Sequence, residues 1–219
     1  MNHNSLYLSV MGTMGSGKTT AARLIAQHFN YHLVEENFGE NAFLPRFYKK
    51  MNRWAFHSQT FFLMEKINQL MELQNEITCP SKSGCAGRSG VVQDTPIEQD
   101  VFSYAKAQHV LGNMDDVEWK LYHKIYSSFV PHLPKPDAII FLDTSIKEIQ
   151  KRIRTRGRGY EKKIPKNYLE LLDALNRDWI RENKKVKIIT IPTDGLNIVT
   201  SPVAQKNFLS TIQKYLTHC

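Results

Sequence analysis

The chain is 219 residues long, 42% hydrophobic and 23% charged, which is ordinary for a soluble protein and enough for one domain with a substantial core. No apolar run nears the roughly 20 residues of a membrane span, and no basic-then-apolar leader opens the chain, so no membrane partner and a cytoplasmic address are expected. The net charge of +8 suits an anionic partner, while Cys79, Cys85 and Cys219 are too few for a disulfide framework and lack the neighbours of a zinc site.

In chain order, Leu6 to Met11 is short, apolar and partly β-branched, the pattern of a buried strand. Gly12-Thr13-Met14-Gly15-Ser16-Gly17-Lys18-Thr19 follows and fits G-x-x-x-x-G-K-[ST]. Ala21, Ala22, Leu24, Ile25, Ala26 and Phe29 then recur at helical spacing. A strand, a glycine loop and a helix are what phosphate binding needs: glycines let the backbone turn its N–H groups inward, and the helix N-terminus adds positive charge. Residues 12–20, Thr20 included, are therefore the expected seat of a nucleoside triphosphate, with Lys18 on the β- and γ-phosphates and the Thr19 hydroxyl on Mg²⁺.

Tyr31 to Val34 is a second strand that ends at Glu35-Glu36. Asn41 to Met51 carries an aromatic face, with Pro45 early in a short helix or in a turn. Arg53 to Glu76 is the longest helix expected, and Phe56, Leu63, Ile67 and Leu70 make its apolar stripe. Gln59 and Lys66 lie seven apart and so share a face; the pattern alone puts Gln59 at the edge of that stripe. Residues 78–90 form a Gly/Ser/Pro-rich loop. Gly90 to Asp94 is a third strand, followed by helices over about Ile97–Leu111 and Asp115–Phe129. Ala138 to Asp143 is a fourth strand. Ser145 and Glu148 form a capping box on the next helix, and an arginine-rich segment runs from Arg152 to Glu161. A helix over about Pro165–Asn183, a strand over Val186–Ile191 and a helix over Pro202–Thr217 complete the chain. Alternating strands and helices predict an α/β fold, a parallel sheet of about five strands covered on both faces in three layers. The whole of residues 1–219 reads as a single domain. Gly12, Glu36, Asp94 and Asp143 all fall at the carboxyl ends of strands, where such sheets bind ligands.

The loop, Glu36 followed five residues on by Asn41-Ala42-Phe43-Leu44, Phe47-Tyr48, Trp54-x4-Gln59, Asp94, and Arg152-Ile-x-x-Arg156-Gly-Arg158-x-x-Glu161 with Ile164 and Tyr168-Leu169 together resemble the deoxynucleoside kinases. The resemblance covers roughly residues 6 to 180 and implies a P-loop kinase fold that phosphorylates a deoxynucleoside on its 5′-hydroxyl, with ATP as donor and Mg²⁺. It implies that Glu36 accepts the hydroxyl proton, with Glu35 the adjacent rival. Tyr48 and Glu161 would hold the sugar 3′-hydroxyl. Gln59 would read the base edge, with Lys66 and Asp100 at the neighbouring positions, which leans towards a purine or deoxycytidine. Trp54 would wall the base, whereas Phe62 reads as core. Asp94 would share Mg²⁺ with Thr19. Arg152, Arg156 and Arg158 would form a lid over about 154–163, where interleaved glycines favour a closing segment over a nucleic-acid surface. A homodimer through the helices between Ile97 and Phe129 is also implied.

One departure stands out. The family follows its third-strand acid with Arg-Ser, and here Thr95-Pro96 follow Asp94, leaving Arg88 or Arg154 to substitute. The Asn-Pro-Phe-Leu pattern also has Ala42 in place of its Pro. Two other readings remain open at this point: a thymidylate-type nucleoside monophosphate kinase, which the missing cation at 95 disfavours, and a non-catalytic nucleotide-binding protein. A nucleic-acid-dependent ATPase lacks the aromatic and basic stripe that would support it.

Overall fold

The computed structural model describes residues 6–36, 41–78, 90–157 and 164–216. The loop expected over residues 78–90, Arg158, Glu161 and the cysteines fall outside these residues in whole or in large part.

Five strands make one sheet: β1 (Leu6–Met11), β2 (His32–Val34), β3 (Gly90–Asp94), β4 (Ala138–Asp143) and β5 (Lys187–Pro192), in the spatial order β2-β3-β1-β4-β5. Every pairing is parallel. β1 is central, with Val10 opposite Asp94 on one side and opposite Ile140 on the other. Its side chains alternate between two apolar layers. Leu8 and Val10 pack with Ala21, Ala22 and Ile25 of α1 (Lys18–Phe29) and with Phe208 and Ile212 of α9 (Pro202–Leu216). Tyr7 faces Leu63, Ile67 and Leu70 of α3 (Met51–Thr78) and Tyr122 of α6 (Asp116–Phe129). Both faces of the sheet are therefore covered, as near-continuous apolar strands require.

α2 (Leu44–Lys49) has Pro45 in its first turn, where a missing N–H costs nothing. The helix expected over 97–111 has a wide middle: α4 (Ile97–Gln99) leads into a π-helical turn over Asp100–Ala105 and then α5 (Lys106–Val110). α7 (Ile146–Arg156) and α8 (Lys166–Glu182) close the far side. Ser145 caps α7 by accepting from the Glu148 N–H, but the Glu148 carboxylate turns to Arg152 instead of completing the box. The reciprocal capping box occurs at Asp115 and Glu118 on α6.

Because Ile140 is fully buried in the central layer, Ile140→Ala should lower stability by about 2–5 kcal/mol through lost burial and a residual cavity. The check is a shift of the urea midpoint with little change in slope.

Candidate active site

The glycine loop leaves β1 and enters α1 at Gly17. Gly15 and Gly17 have φ of +85° and +103°, a backbone that side chains with a Cβ avoid. A Cβ on Gly15 would also lie 2.8 Å from Ile153 Cγ1. Loop amides and a helix N-terminus together are a donor set suited to an anion.

Three ties from distant elements hold this loop. The Gln99 amide accepts from the Gly12 N–H at 3.2 Å and donates back to the Gly12 carbonyl at 2.6 Å. Thr13 Oγ1 donates to Asp173 at 3.1 Å, and Arg177 bridges Asp173 to Asp143. Arg152 donates to the Ser16 carbonyl at 2.7 Å and the Thr193 carbonyl at 2.6 Å, and it is paired with Glu148. In this conformation Arg152 fastens the loop to the end of β5. Asp143, one of the strand-end carboxylates, serves the scaffold through Arg177.

On one side of the loop lies a cleft of about 960 Å³, counting space open to solvent. Lys18, Thr19, Glu36, Tyr48, Gln59, Asp94, Asp100 and Arg156 all line it. On the other side a second hollow is bounded by Ser16, Arg152, Thr193, Asn197 and Ile198. Gly15, Gly17, Thr20 and Arg156 belong to both. The loop thus stands between two ligand-sized spaces. Arg158 and Glu161 lie outside the described residues.

The two glutamates at the end of β2 diverge. Glu35 pairs outward with Arg23, and Glu36 turns into the cleft. Burial pushes the Glu36 carboxyl above its ordinary value; Lys66, Lys18 and Thr95 oppose that push, and nearby Asp94 adds to it. Asp100 is raised further, first by burial and then by Glu36, and its Oδ2 has no hydrogen-bond partner among the described residues. Lys18 is pushed down by burial, and its ammonium rests on the Gly12 carbonyl at 3.0 Å and the Tyr104 hydroxyl at 3.3 Å. Thr19 Oγ1 donates to Asp94 Oδ2 at 2.5 Å. That hydroxyl–carboxylate pair is a hard-oxygen donor set, which fits Mg²⁺ alongside phosphate oxygens.

Three placements differ from the sequence expectation. Phe62, read as core, lines the cleft. Trp54, read as a wall of the base pocket, is absent from that lining and packs beside Phe43 and His57, with Arg46 and Arg53 over its ring at 5.0 and 4.8 Å. Lys66 is likewise not at the cleft surface: its ammonium donates to the Asp94 carbonyl at 3.2 Å. Arg154 is exposed on α7 and Arg88 is outside the described residues, so the described cation nearest the third-strand end is Lys66. Tyr104 and Gln99 were not singled out by sequence, and Tyr168 entered only as part of the resemblance, with no role in the cleft. Tyr104 follows Asp100 by four residues, and that spacing after a candidate acid was the one available signal.

A carboxyl held protonated by burial destabilises the chain once it must ionise. The folded state keeps a proton that the unfolded chain releases, so stability falls as pH rises above the ordinary aspartate range. Asp100→Asn should therefore raise the melting temperature of the ligand-free protein at neutral pH by roughly 2–4 °C. The gain should shrink on acidification towards the aspartate range, as read by calorimetry.

Comparison with known proteins agrees with this architecture. The family model described as deoxynucleoside kinase matches residues 8–217. A deoxyguanosine kinase of Bacillus subtilis is 30% identical over 197 residues, covering 88% of this chain and 89% of that protein. A deoxyadenosine/deoxycytidine kinase of the same organism is 27% identical over 207 residues, covering 94% and 90%. Among solved structures, the deoxyadenosine kinase from M. mycoides with bound dCTP shares the fold, with a TM-score of 0.80 at 22% identity over 98% of this chain and 100% of that one. Among the described residues no helix is long and apolar enough to cross a membrane. The chain belongs to the deoxynucleoside kinase family and is a phosphotransferase acting on deoxynucleosides.

Proposed function

We propose that this enzyme transfers the γ-phosphoryl group of ATP, with Mg²⁺, to the 5′-hydroxyl of a deoxynucleoside carrying a purine or cytosine. The observation that carries the reading is one cleft that holds the glycine-loop lysine, an inward-turned glutamate and a glutamine amide: Lys18, Glu36 and Gln59.

Each group has a role its chemistry suits. The loop amides and Lys18 bind the triphosphate and fix its terminal group in line with the acceptor. Thr19 and Asp94 would hold the metal, which supplies charge neutralisation on the phosphate oxygens. Glu36 accepts the proton leaving the 5′-hydroxyl as the oxygen bonds to phosphorus. Tyr48, with Glu161, orients the sugar. Gln59 and Asp100 meet the base edge; an amide offers both donor and acceptor, and a protonated carboxyl adds a donor. Arg156 and Arg158 close over the phosphates as part of a lid spanning about 154–163, while Arg152 keeps the loop in register with β5. The Glu36 and Asp94 carboxylates in the cleft disfavour a phosphorylated acceptor, which supports a nucleoside over a nucleoside monophosphate. The exposed Val117 and Leu121, four apart on α6, and Val110 and Leu111 at the end of α5 form an apolar face suited to a homodimer.

Glu36→Gln should lower kcat by about 10²–10⁴-fold while leaving the affinity for a non-hydrolysable ATP analogue within about twofold. Steady-state assay across the four deoxynucleosides and their monophosphates checks both halves: retained turnover in the variant, or turnover of monophosphates only, refutes the reading. Leu121→Asp should convert a dimer to a monomer in sedimentation; an unchanged mass places the interface elsewhere.

A further inference from the structure

Lys66 is 2% exposed and among the largest fully buried side chains of the described residues. A buried ammonium is tolerated only where opposite charge and hydrogen bonds compensate it. Its hydrogen bond goes to a backbone carbonyl, that of Asp94 at 3.2 Å. The compensating charge comes from the carboxylates of the cleft: Lys66 is the strongest favourable influence on Glu36 and also acts on Asp100.

The carbonyl it holds belongs to an unusual turn. The next residue, Thr95, is fully buried with φ of +68°, a left-handed backbone that a β-branched residue adopts only where its surroundings over-determine it. The Thr95 N–H donates to the Val10 carbonyl at 3.1 Å, and its hydroxyl lies 3.2 Å from Asp94 Oδ1. The tie from Lys66 reaches the same turn from α3, the helix that also carries Gln59. Lys18 cannot supply a constant positive charge here, because a bound triphosphate engages it.

We propose that Lys66 is a positioning residue: from behind the cleft it pins the Asp94–Thr95 turn and supplies the fixed positive charge that lets Glu36, Asp94 and Asp100 share one recess. This rests on the reading of Glu36 as the proton acceptor. Lys66 does not read the base. Its loss lowers turnover on every accepted deoxynucleoside alike and leaves the ranking of bases unchanged.

The test compares Lys66→Met and Lys66→Arg in steady-state assays with MgATP and deoxyadenosine, deoxyguanosine and deoxycytidine. Binding of a non-hydrolysable ATP analogue and thermal melting are measured alongside. Lys66→Met should lower kcat by roughly 100-fold or more by the same factor for each base, with analogue affinity near wild type. Lys66→Arg, which keeps the charge, should recover most of that loss. A changed ranking of bases, an arginine variant no better than the methionine one, or an unaltered kcat in Lys66→Met overturns the proposal. Where Lys66→Met does not fold, the double variant Lys66→Met/Asp100→Asn decides: removing one carboxylate should restore folding, and a double variant that also fails refutes the charge balance. Activity surviving in Glu36→Gln would instead sink the proton-acceptor reading, so the two failures are distinguishable.

Discussion

Gathering like charges at the carboxyl end of a buried sheet is the constraint around which this molecule is arranged. Glu36, Asp94 and Asp100 come from three different elements and converge on one recess beside the glycine loop. Brought together without partners they would drive one another to the protonated state. Two lysines from opposite sides, Lys18 on α1 and Lys66 on α3, and the Thr95 hydroxyl offset that tendency. Much of the surrounding architecture keeps these groups at fixed distances: the parallel register that sets Val10 against Asp94, the Gln99 amide clamped on Gly12, and the chain from Thr13 through Asp173 and Arg177 to Asp143.

The loop is held from three directions, by Gln99, Asp173 and Arg152. Among the described residues Lys18 is not tied to a carboxylate; it rests on a carbonyl and a phenol, neutral partners that an anionic ligand displaces easily. Arg156 borders both hollows from the last turn of α7, next to Gly157, whose φ is +71°. α7 therefore ends at a residue whose left-handed backbone redirects the chain.

Much of the frame could be read before any coordinates. Residues 6–29 announce strand, loop and helix through apolar period and glycine spacing, and the remaining strands are short β-branched runs between helical stretches. Glu36 and Asp94 fall at strand ends and Gln59 was singled out by the family resemblance, and the three meet in one cleft. The aromatics on α3 were harder. Apolar residues occur almost all round that helix, so periodicity did not distinguish the face of Phe62 from that of Trp54. Lys66 misled because a lysine normally signals exposure or ligand contact, and only the packed structure reveals an interior ammonium. Gln99 looks like a surface residue in a helix until the loop carbonyl is beside it. The left-handed Thr95 left no trace, since threonine is a poor indicator of that conformation.

The wide turn at Asp100–Ala105 also left no compositional signature, and it has a mechanical consequence. Its hydrogen bonds reach five residues instead of four, so it absorbs one extra residue relative to an α-helix. Each α-helical residue advances the helix by about 100°, so an extra residue carried without the wide turn would swing α5 through roughly that angle. The turn takes up that residue, so Ala107 stays packed against Tyr168 and Leu172 of α8 while Gln99, upstream, keeps its grip on the loop. This wall of the cleft is thus set by angular phase as much as by residue identity: one surplus residue is accommodated locally, and the hydroxyl of Tyr104 within it meets the lysine of a loop far away in sequence.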